Sequence, residues 1–551
     1  MSTARVACIQ LALVPDATAN REACLALIDA AAAVSPDLIV LPEMSNWSGG
    51  LVRSLDEALT HGTPIPGDFT DAMAGRAVRH RCHIAVGMIE RADAEAFISS
   101  VIIAPDGRIV LKVQKQILFG GQRRWASAGR CGNPVVDLPF GRVGIYICAD
   151  GLIPETARVL AVSGAQLLIN TLHSGGHDET WLHIPARAVE NRCWVASANK
   201  VGARDLGAPG SFCGGSQILA PDGTVLARAD DCTPGFVHAD IDLDKADDKR
   251  LAGEDLMTLR RPECYAILAE PHAPPAASRK GPAALGVAAL QPRGLHEEAL
   301  DEALTQWHQA AVRGAGLIVT PYLFAHDLSR LPAEAASEAA RTSGWLSRLA
   351  STARATATWG VVSLLTERAG RFMPSAWLID PRGETVACQP QVHLPGAWRA
   401  WAEAGDALHV HDTHAGRIGI LSDADALLPE SYRVLARLGA ELIVIAGRWR
   451  SAHEIDLLLP ERAAENRVNI AWANRTDSTV RRGSVLVPVV PYPSEPHWKV
   501  RAPDCLEAAT DAPFILHGMN LAATIDKTVG PQGCDLMASA VPAAYRPLTG
   551  A

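Results

Sequence analysis

The chain has 551 residues, of which 48% are hydrophobic and 20% charged, a composition that can bury large cores and excludes wholesale disorder. With 51 basic against 60 acidic residues the formal charge is −9, and no Lys/Arg block is long enough to hold a polyanion, so no nucleic-acid partner is expected. No apolar run approaches the ~20 residues that cross a bilayer, no basic segment followed by a long apolar core opens the chain, and the 12 cysteines form no CxxC pair. These features predict a cytoplasmic protein with no membrane contact and no disulfide framework.

Along the chain, strand and helix patterns alternate. Residues 5–11 and 37–41 are β-branched runs, and between them residues 20–33 carry apolar side chains at helical spacing. An amphipathic helix is expected over 68–81, then strands over 83–89 and 96–104. Residues 142–147 read as a buried strand ending at Cys148, 154–163 as a helix opened by proline, 166–170 as a strand and 179–191 as one helix. Such alternation predicts an α/β layered domain with its chemistry at the strand ends.

This unit is written twice. Pro185-Ala-Arg-Ala-Val-Glu-Asn-Arg-Cys-Trp-Val-Ala-Ser-Ala-Asn199 is echoed 275 residues later by Pro460-Glu-Arg-Ala-Ala-Glu-Asn-Arg-Val-Asn-Ile-Ala-Trp-Ala-Asn474, with nine of fifteen positions identical. The same offset maps Gly141-Arg-Val-Gly-Ile145 onto Gly416-Arg-Ile-Gly-Ile420, and Leu38-Ile-Val-Leu-Pro42 answers Leu317-Ile-Val-Thr-Pro321. A self-similarity of this period defines the architecture. The expected division is a first domain over 1–270, a proline-rich linker over 271–283 and a second domain over 284–551.

Three reactive side chains of the first copy fall just past predicted strands. Glu43 closes Leu38-Ile-Val-Leu-Pro-Glu, Lys115 follows the hairpin at Pro105-Asp-Gly107, and Cys148 closes Val143-Gly-Ile-Tyr-Ile-Cys. A thiol at a strand-to-helix turn lies near the positive end of the next helix, and a neighbouring lysine would acidify it further. Such a thiol is a candidate nucleophile, with a carboxylate to take its proton and an ammonium to stabilise an oxyanion. Most strand-end cysteines are small buried hydrophobes, so spacing alone leaves both readings open.

The order Leu-Pro-Glu43, Gln-Lys115-Gln-Ile-Leu-Phe, Gly141-Arg-Val-Gly-Ile-Tyr-Ile-Cys148-Ala-Asp-Gly-Leu-Ile-Pro-Glu155 and Arg187-Ala-Val-Glu-Asn191 resembles the nitrilase (carbon–nitrogen hydrolase) superfamily. Phe212-Cys-Gly-Gly-Ser216 through Pro221-Asp-Gly223 is similar to that family's late strand pair, and the resemblance spans residues 4 to about 245. It implies a four-layer αββα sandwich in which Cys148 is the nucleophile, Glu43 the general base and acid and Lys115 the oxyanion stabiliser. The backbone amide of Ala149 would be a second oxyanion donor, and no metal or organic cofactor is implied. Cys148-Ala-Asp150-Gly151 is similar to the amidase and formamidase pattern rather than to the Trp-Glu of nitrile-cleaving members. The expected reaction is hydrolysis of a small linear carboxamide to acid and ammonia through a thioester. An N-carbamoyl (ureido) hydrolase, an acyltransferase, a nitrilase and a non-catalytic binding protein are the alternatives.

One departure concerns the second glutamate that many members carry between the lysine and the cysteine. Residues 116–136 contain no carboxylate, and Gln122 is the nearest positional substitute, able to hydrogen-bond Lys115 or substrate but not to act as a base. Asn46, Trp47, His173 and Trp181 are read as pocket residues, and Arg123 and Arg124 as candidates for a substrate carboxylate. For Trp47 the plainer alternative is an aromatic in a surface loop, for Trp181 helix packing, and for the arginines a solvated loop. The spacing of His173, His177 and His183 matches no common metal motif, so no metal site is expected there.

In the second copy Tyr322 stands for Glu43, Gln391 for Lys115 and Asp423 for Cys148. That trio could not run thioester chemistry. Arg462, Glu465 and Asn466 persist where the first copy has Arg187, Glu190 and Asn191, which argues that these residues serve folding. Since family members usually pair as homodimers beside the active site, the resemblance implies that the second copy stands in for a subunit in an intramolecular pseudo-dimer, with further homo-oligomerisation left open.

Overall fold

In the computed structural model, which describes residues 3–130, 132–202, 212–273, 281–489, 503–530 and 533–550, each half of the chain builds the same two sheets. The strands of the first half are β1 (Thr3–Ala12), β2 (Leu38–Val40), β3 (His83–Ala92), β4 (Glu95–Ile103), β5 (Ile109–Gln114), β6 (Val135–Leu138), β7 (Gly141–Ile147), β8 (Leu167–Thr171), β9 (Trp194–Ala198), β10 (Lys200–Val201), β11 (Gln217–Leu219), β12 (Val225–Arg228) and β13 (Gly235–Asp242). One sheet runs β10-β1-β2-β3-β4-β5, with β13 also on β1, and the other runs β12-β11-β9-β8-β7-β6. Both are mixed: β10, β1, β2 and β3 are parallel, as are β7, β8 and β9, and the other strands pair antiparallel.

Strand alternation makes the layers. Val6 and Cys8 of β1 face Val143, Ile145 and Ile147 of β7 in a core between the sheets. Ala7 and Ile9 face the other way, onto helices α1 (Ala17–Ala31) and α3 (Asp68–His80). Helix α1 starts where Asp16 accepts hydrogen bonds from the Thr18 and Ala19 backbone N–H groups at 2.9 Å. The short α2 (Leu55–His61) was not anticipated from periodicity. On the far side α4 (Pro154–Val162) and α5 (Ile184–Asn191) cover the second sheet, completing the αββα sandwich. The expected single helix over 179–191 is instead a π-turn, Glu179–His183, running into α5. Pro185 has no N–H to continue the regular ladder through this junction.

The second half repeats this order apart from β10, which has no counterpart among its described strands. Its sheets run Thr385–Pro390, Arg371–Ile379, Trp359–Arg368, Leu317–Val319, Ala284–Leu290, Phe514–Asn520 and Val410–Thr413, Gly416–Ser422, Leu442–Gly447, Asn469–Asn474, Val485–Val487, Leu506–Glu507. Of the expected linker, residues 274–280 lie outside the described residues. No helix of the described residues is long and apolar enough to cross a membrane.

The two halves meet through the helices over their second sheets. Ala149, Leu152, Ile153 and Val159 share one apolar cluster with Tyr432, Val434 and Leu435. Buried ion pairs cross the same contact reciprocally. Arg433 Nε donates to Glu155 Oε1 at 2.6 Å, and Arg158 Nε lies 3.1 Å from Glu430 Oε1. Arg187 bonds Glu461 and Glu465, while Arg462 bonds Glu190. Under the 275-residue offset these contacts, except that of Arg187 with Glu461, whose counterpart is Ala186, exchange Arg158 with Arg433 and Arg187 with Arg462, the mark of an isologous contact. Arg187, Glu190 and their repeats thus spend their charge between the halves.

Candidate active site

β2, β5 and β7 deliver Glu43, Lys115 and Cys148 to one place between the sheets. Glu43 lies three residues past β2, where its backbone N–H donates to Leu172 O at 3.3 Å. Gly87 of β3 passes so close that a Cβ there would sit 2.6 Å from the Glu43 Cα, which explains glycine at that strand position. Lys115 follows β5, pinned by Lys115 N–H to Ile98 O at 2.8 Å. Its Nζ donates to Glu43 Oε1 at 2.8 Å, and neither side chain has any exposed surface. Burial alone would lower the Lys115 ammonium, but the Cys148 and Glu43 positions outweigh it and raise it. Glu43 Oε2 has no hydrogen-bond partner among the described residues.

Cys148 sits at the elbow between β7 and a turn of 3-10 helix (Cys148–Leu152), with φ of 49°, a left-handed conformation that costs a non-glycine residue of order 1 kcal/mol. Its backbone N–H donates to Asn170 Oδ1 at 3.2 Å, and its Sγ lies 4.0 Å from the His173 carbonyl. Burial, reinforced by Glu43, pushes the thiol well above its ordinary range despite Lys115. At rest the sulfur is a thiol, so a base must take its proton before it attacks.

Asp150, two residues on, ties the elbow to the lysine loop. Its Oδ1 accepts from Gln116 and Ile117 N–H at 3.0 and 2.7 Å, and its Oδ2 accepts from Ile147 N–H at 3.2 Å. Burial raises its carboxyl to about 7. Asp425 makes the same three bonds in the second copy, so this aspartate serves the loop geometry in both.

The other sequence-designated residues divide. Ala149 follows the thiol and is buried against the second copy. His173 is brought beside Cys148 through its carbonyl, with its Nδ1 2.8 Å from Lys200 Nζ and its ring edge-on to Phe212. Trp47 is buried, stacked on His61 at 3.7 Å, rather than standing in a surface loop. Asn46 bonds both backbone groups of Ile89 and holds the loop to β3. Gln122 does not reach Lys115: its Oε1 accepts from Phe119 N–H at 2.9 Å, closing its own 3-10 turn. Trp181 is 61% exposed and lies under the Arg228 guanidinium at 3.7 Å. The π-turn, which takes more residues per turn than an α-helix, faces it to solvent instead of toward the pocket. Arg123 bonds Leu118 O and reaches Ser539 of the second half.

Two charged groups at the site carry no signal in the spacing. Lys200, buried between the sheets, donates to Met44 O at 3.0 Å, and burial lowers its ammonium to about 7. Glu179, on the π-turn, is raised by burial and faces the cavity beside Cys148. Both sit where an arginine and a glutamate recur in the second copy, Arg475 and Glu454, so only the repeat itself could have flagged them.

A doubled αββα sandwich whose first copy gathers a thiol, a carboxylate and an ammonium at three strand ends defines a class of hydrolase scaffold. Its sequence matches the carbon–nitrogen hydrolase family model over residues 5–250 and again over 286–487, and the chain belongs to that family. A probable nitrilase of Schizosaccharomyces pombe is 29% identical over 279 residues, 49% of this chain and 99% of that protein. The omega-amidase of Bos taurus is 32% identical over 44% of this chain and 91% of its own, and an (R)-stereoselective amidase of a Pseudomonas species is 35% identical over 38% and 75%. Among solved structures, a mutant of the Nesterenkonia AN1 amidase is similar with a TM-score of 0.40, at 22% identity over 47% of this chain and 94% of that one. The protein is a carbon–nitrogen hydrolase of the nitrilase superfamily.

Proposed function

We propose that the first copy hydrolyses a small linear carboxamide by covalent catalysis at Cys148. The observation that carries this reading is the wholly buried Lys115–Glu43 pair at 2.8 Å, set against a thiol that burial keeps protonated. Glu43 takes the Sγ proton as the sulfur attacks the amide carbon. The tetrahedral oxyanion is stabilised by the Lys115 ammonium and the Ala149 N–H. Collapse breaks the C–N bond, Glu43 returns its proton to the leaving nitrogen, and ammonia departs from a thioester on Cys148. Glu43 then draws a proton from water, which attacks the thioester and releases the carboxylic acid and the thiol. The relatives named as amidases support an amide over a nitrile. Ammonia release across a panel of amides, ureido acids and nitriles tests the reading. Amides should be turned over fastest, with Cys148→Ala at least about 10⁴-fold slower, and retained activity in that variant refutes the mechanism.

The second copy, on this reading, is a pseudo-subunit without chemistry of its own. The reciprocal buried arginines and glutamates support that role, because residues 1–270 alone would leave them facing water beside a broad apolar patch. That fragment should be insoluble or inactive, and a fully soluble, active fragment removes the second copy from the account.

A further inference from the structure

A cavity of about 10 Å³, room for one water, lies beside the Cys148 thiol and is lined by Tyr146, Asn170, Glu179 and His183. Three of the polar atoms on these residues, Tyr146 Oη, Glu179 Oε2 and His183 Nε2, are buried with no hydrogen-bond partner among the described residues. Leaving such atoms unmade costs about 1–3 kcal/mol each, so three on the lining of one small cavity point to an occupant with hydrogen-bonding capacity.

The other nitrogen of His183 is held from across the contact between the copies. His183 Nδ1 lies 2.9 Å from Glu461 Oε1, on the second-copy helix Leu459–Asn466. Burial alone would lower the imidazole, but Glu461 outweighs burial and raises it, and the other charges facing the ring are Arg187 and Glu179. This link is one-sided. Under the 275-residue offset Glu461 corresponds to Ala186 and His183 to Leu458, so a pair of first copies would set Ala186 against His183 and leave its Nδ1 without a carboxylate.

We propose that the second copy supplies a positioning residue to the working site: Glu461 fixes the His183 ring with Nε2–H aimed into the cavity beside Cys148, where it binds a single nitrogen or oxygen centre of the reacting amide system. That centre is the carboxamide nitrogen during thioester formation or the water during thioester hydrolysis. The inference rests on the reading of Cys148 as an amidase nucleophile. It makes the second half part of the catalytic apparatus and not merely a support for it.

The test uses the full chain with Glu461→Gln, His183→Gln, the double variant, and Glu190→Gln as a matched loss of an interface carboxylate that does not touch His183. Each of the first two should lower kcat/KM about tenfold, and the double variant should be no worse than His183→Gln. Glu461→Gln should also shift the alkaline limb of the kcat/KM profile to lower pH by about one unit, whereas Glu190→Gln should lower the Tm and leave the profile in place. In His183→Gln, accumulation of acyl-enzyme by mass spectrometry assigns the centre to the water, and its absence assigns it to the amide nitrogen. Additive losses in the double variant, or a Glu461→Gln protein that only melts earlier, overturn the proposal. If the wild type turns over no amide, the amidase reading has failed, and the positioning claim is then decided by Cys148 alkylation with iodoacetamide. An unchanged pH dependence of that rate in Glu461→Gln overturns it, and a shifted one upholds it.

Discussion

The strand ends at Glu43 and Tyr322 have the same backbone and opposite contents. Each N–H donates to the equivalent carbonyl, Leu172 O at 3.3 Å in the first copy and Gly447 O at 3.4 Å in the second. In the first, a carboxylate meets an ammonium. In the second, the Tyr322 hydroxyl donates to Gln391 Oε1 at 2.8 Å and the Gln391 amide passes on to His393 O at 2.9 Å, a neutral chain in place of an ion pair. Asp423, at the elbow, is bound by Arg448 and Arg450. Trp449 stacks on Trp472 where the first copy has Ser174 and Ser197. The scaffold tolerates either filling, so the fold does not require the Glu43–Lys115 ion pair, because a Tyr322–Gln391 hydrogen bond occupies the equivalent place in the second copy.

Substituting both sides of that comparison gives the largest contrast. Glu43→Gln should cut kcat/KM by about 10²–10⁴-fold, while Tyr322→Phe should leave turnover within about twofold and lower stability by about 1–3 kcal/mol through the orphaned Gln391 oxygen. Ammonia release and thermal unfolding read the two effects separately. At the contact between copies, Arg433→Met strands the buried Glu155 side chain and should cost about 3–5 kcal/mol in denaturant unfolding, whereas the exposed Arg382–Glu384 pair should be worth at most about 1 kcal/mol. A smaller effect belongs to Asp150. Its folded carboxyl, near 7, lies above the unfolded value near 3.9, so the folded state binds more protons and stability falls as pH rises from about 4 to 7. Asp150→Asn should flatten that decline by roughly 1 kcal/mol per pH unit at most, seen as a smaller Tm difference between pH 5 and 7. Smallest of all, Trp181→Ala should leave KM unchanged and cost about 0.5–1 kcal/mol of cation–π contact with Arg228. A raised KM would return that indole to the pocket.

Much of this was legible because the site is built at strand ends. Glu43, Lys115 and Cys148 each close a β-branched run, and a run of that kind can be counted along the chain. The repeat was legible for a related reason, since the helices that face one another across the contact between the halves carry Arg187 and Arg462 in the same register. What the spacing could not supply depends on packing between layers. Lys200 reaches Met44 across strands far apart in sequence, and Glu461 meets His183 only through the contact between halves. Nor does the spacing show that a π-turn carries Trp181 to an exposed position, or that the Gln122 amide closes a local turn.

The elbow itself recurs where the thiol does not. Asp423 holds φ of 46°, within a few degrees of Cys148, although no nucleophile has to be presented there. Aspartate is among the few side chains that enter the left-handed region readily. An aspartate in place of the thiol keeps the bend, so the turn's shape does not depend on the sulfur.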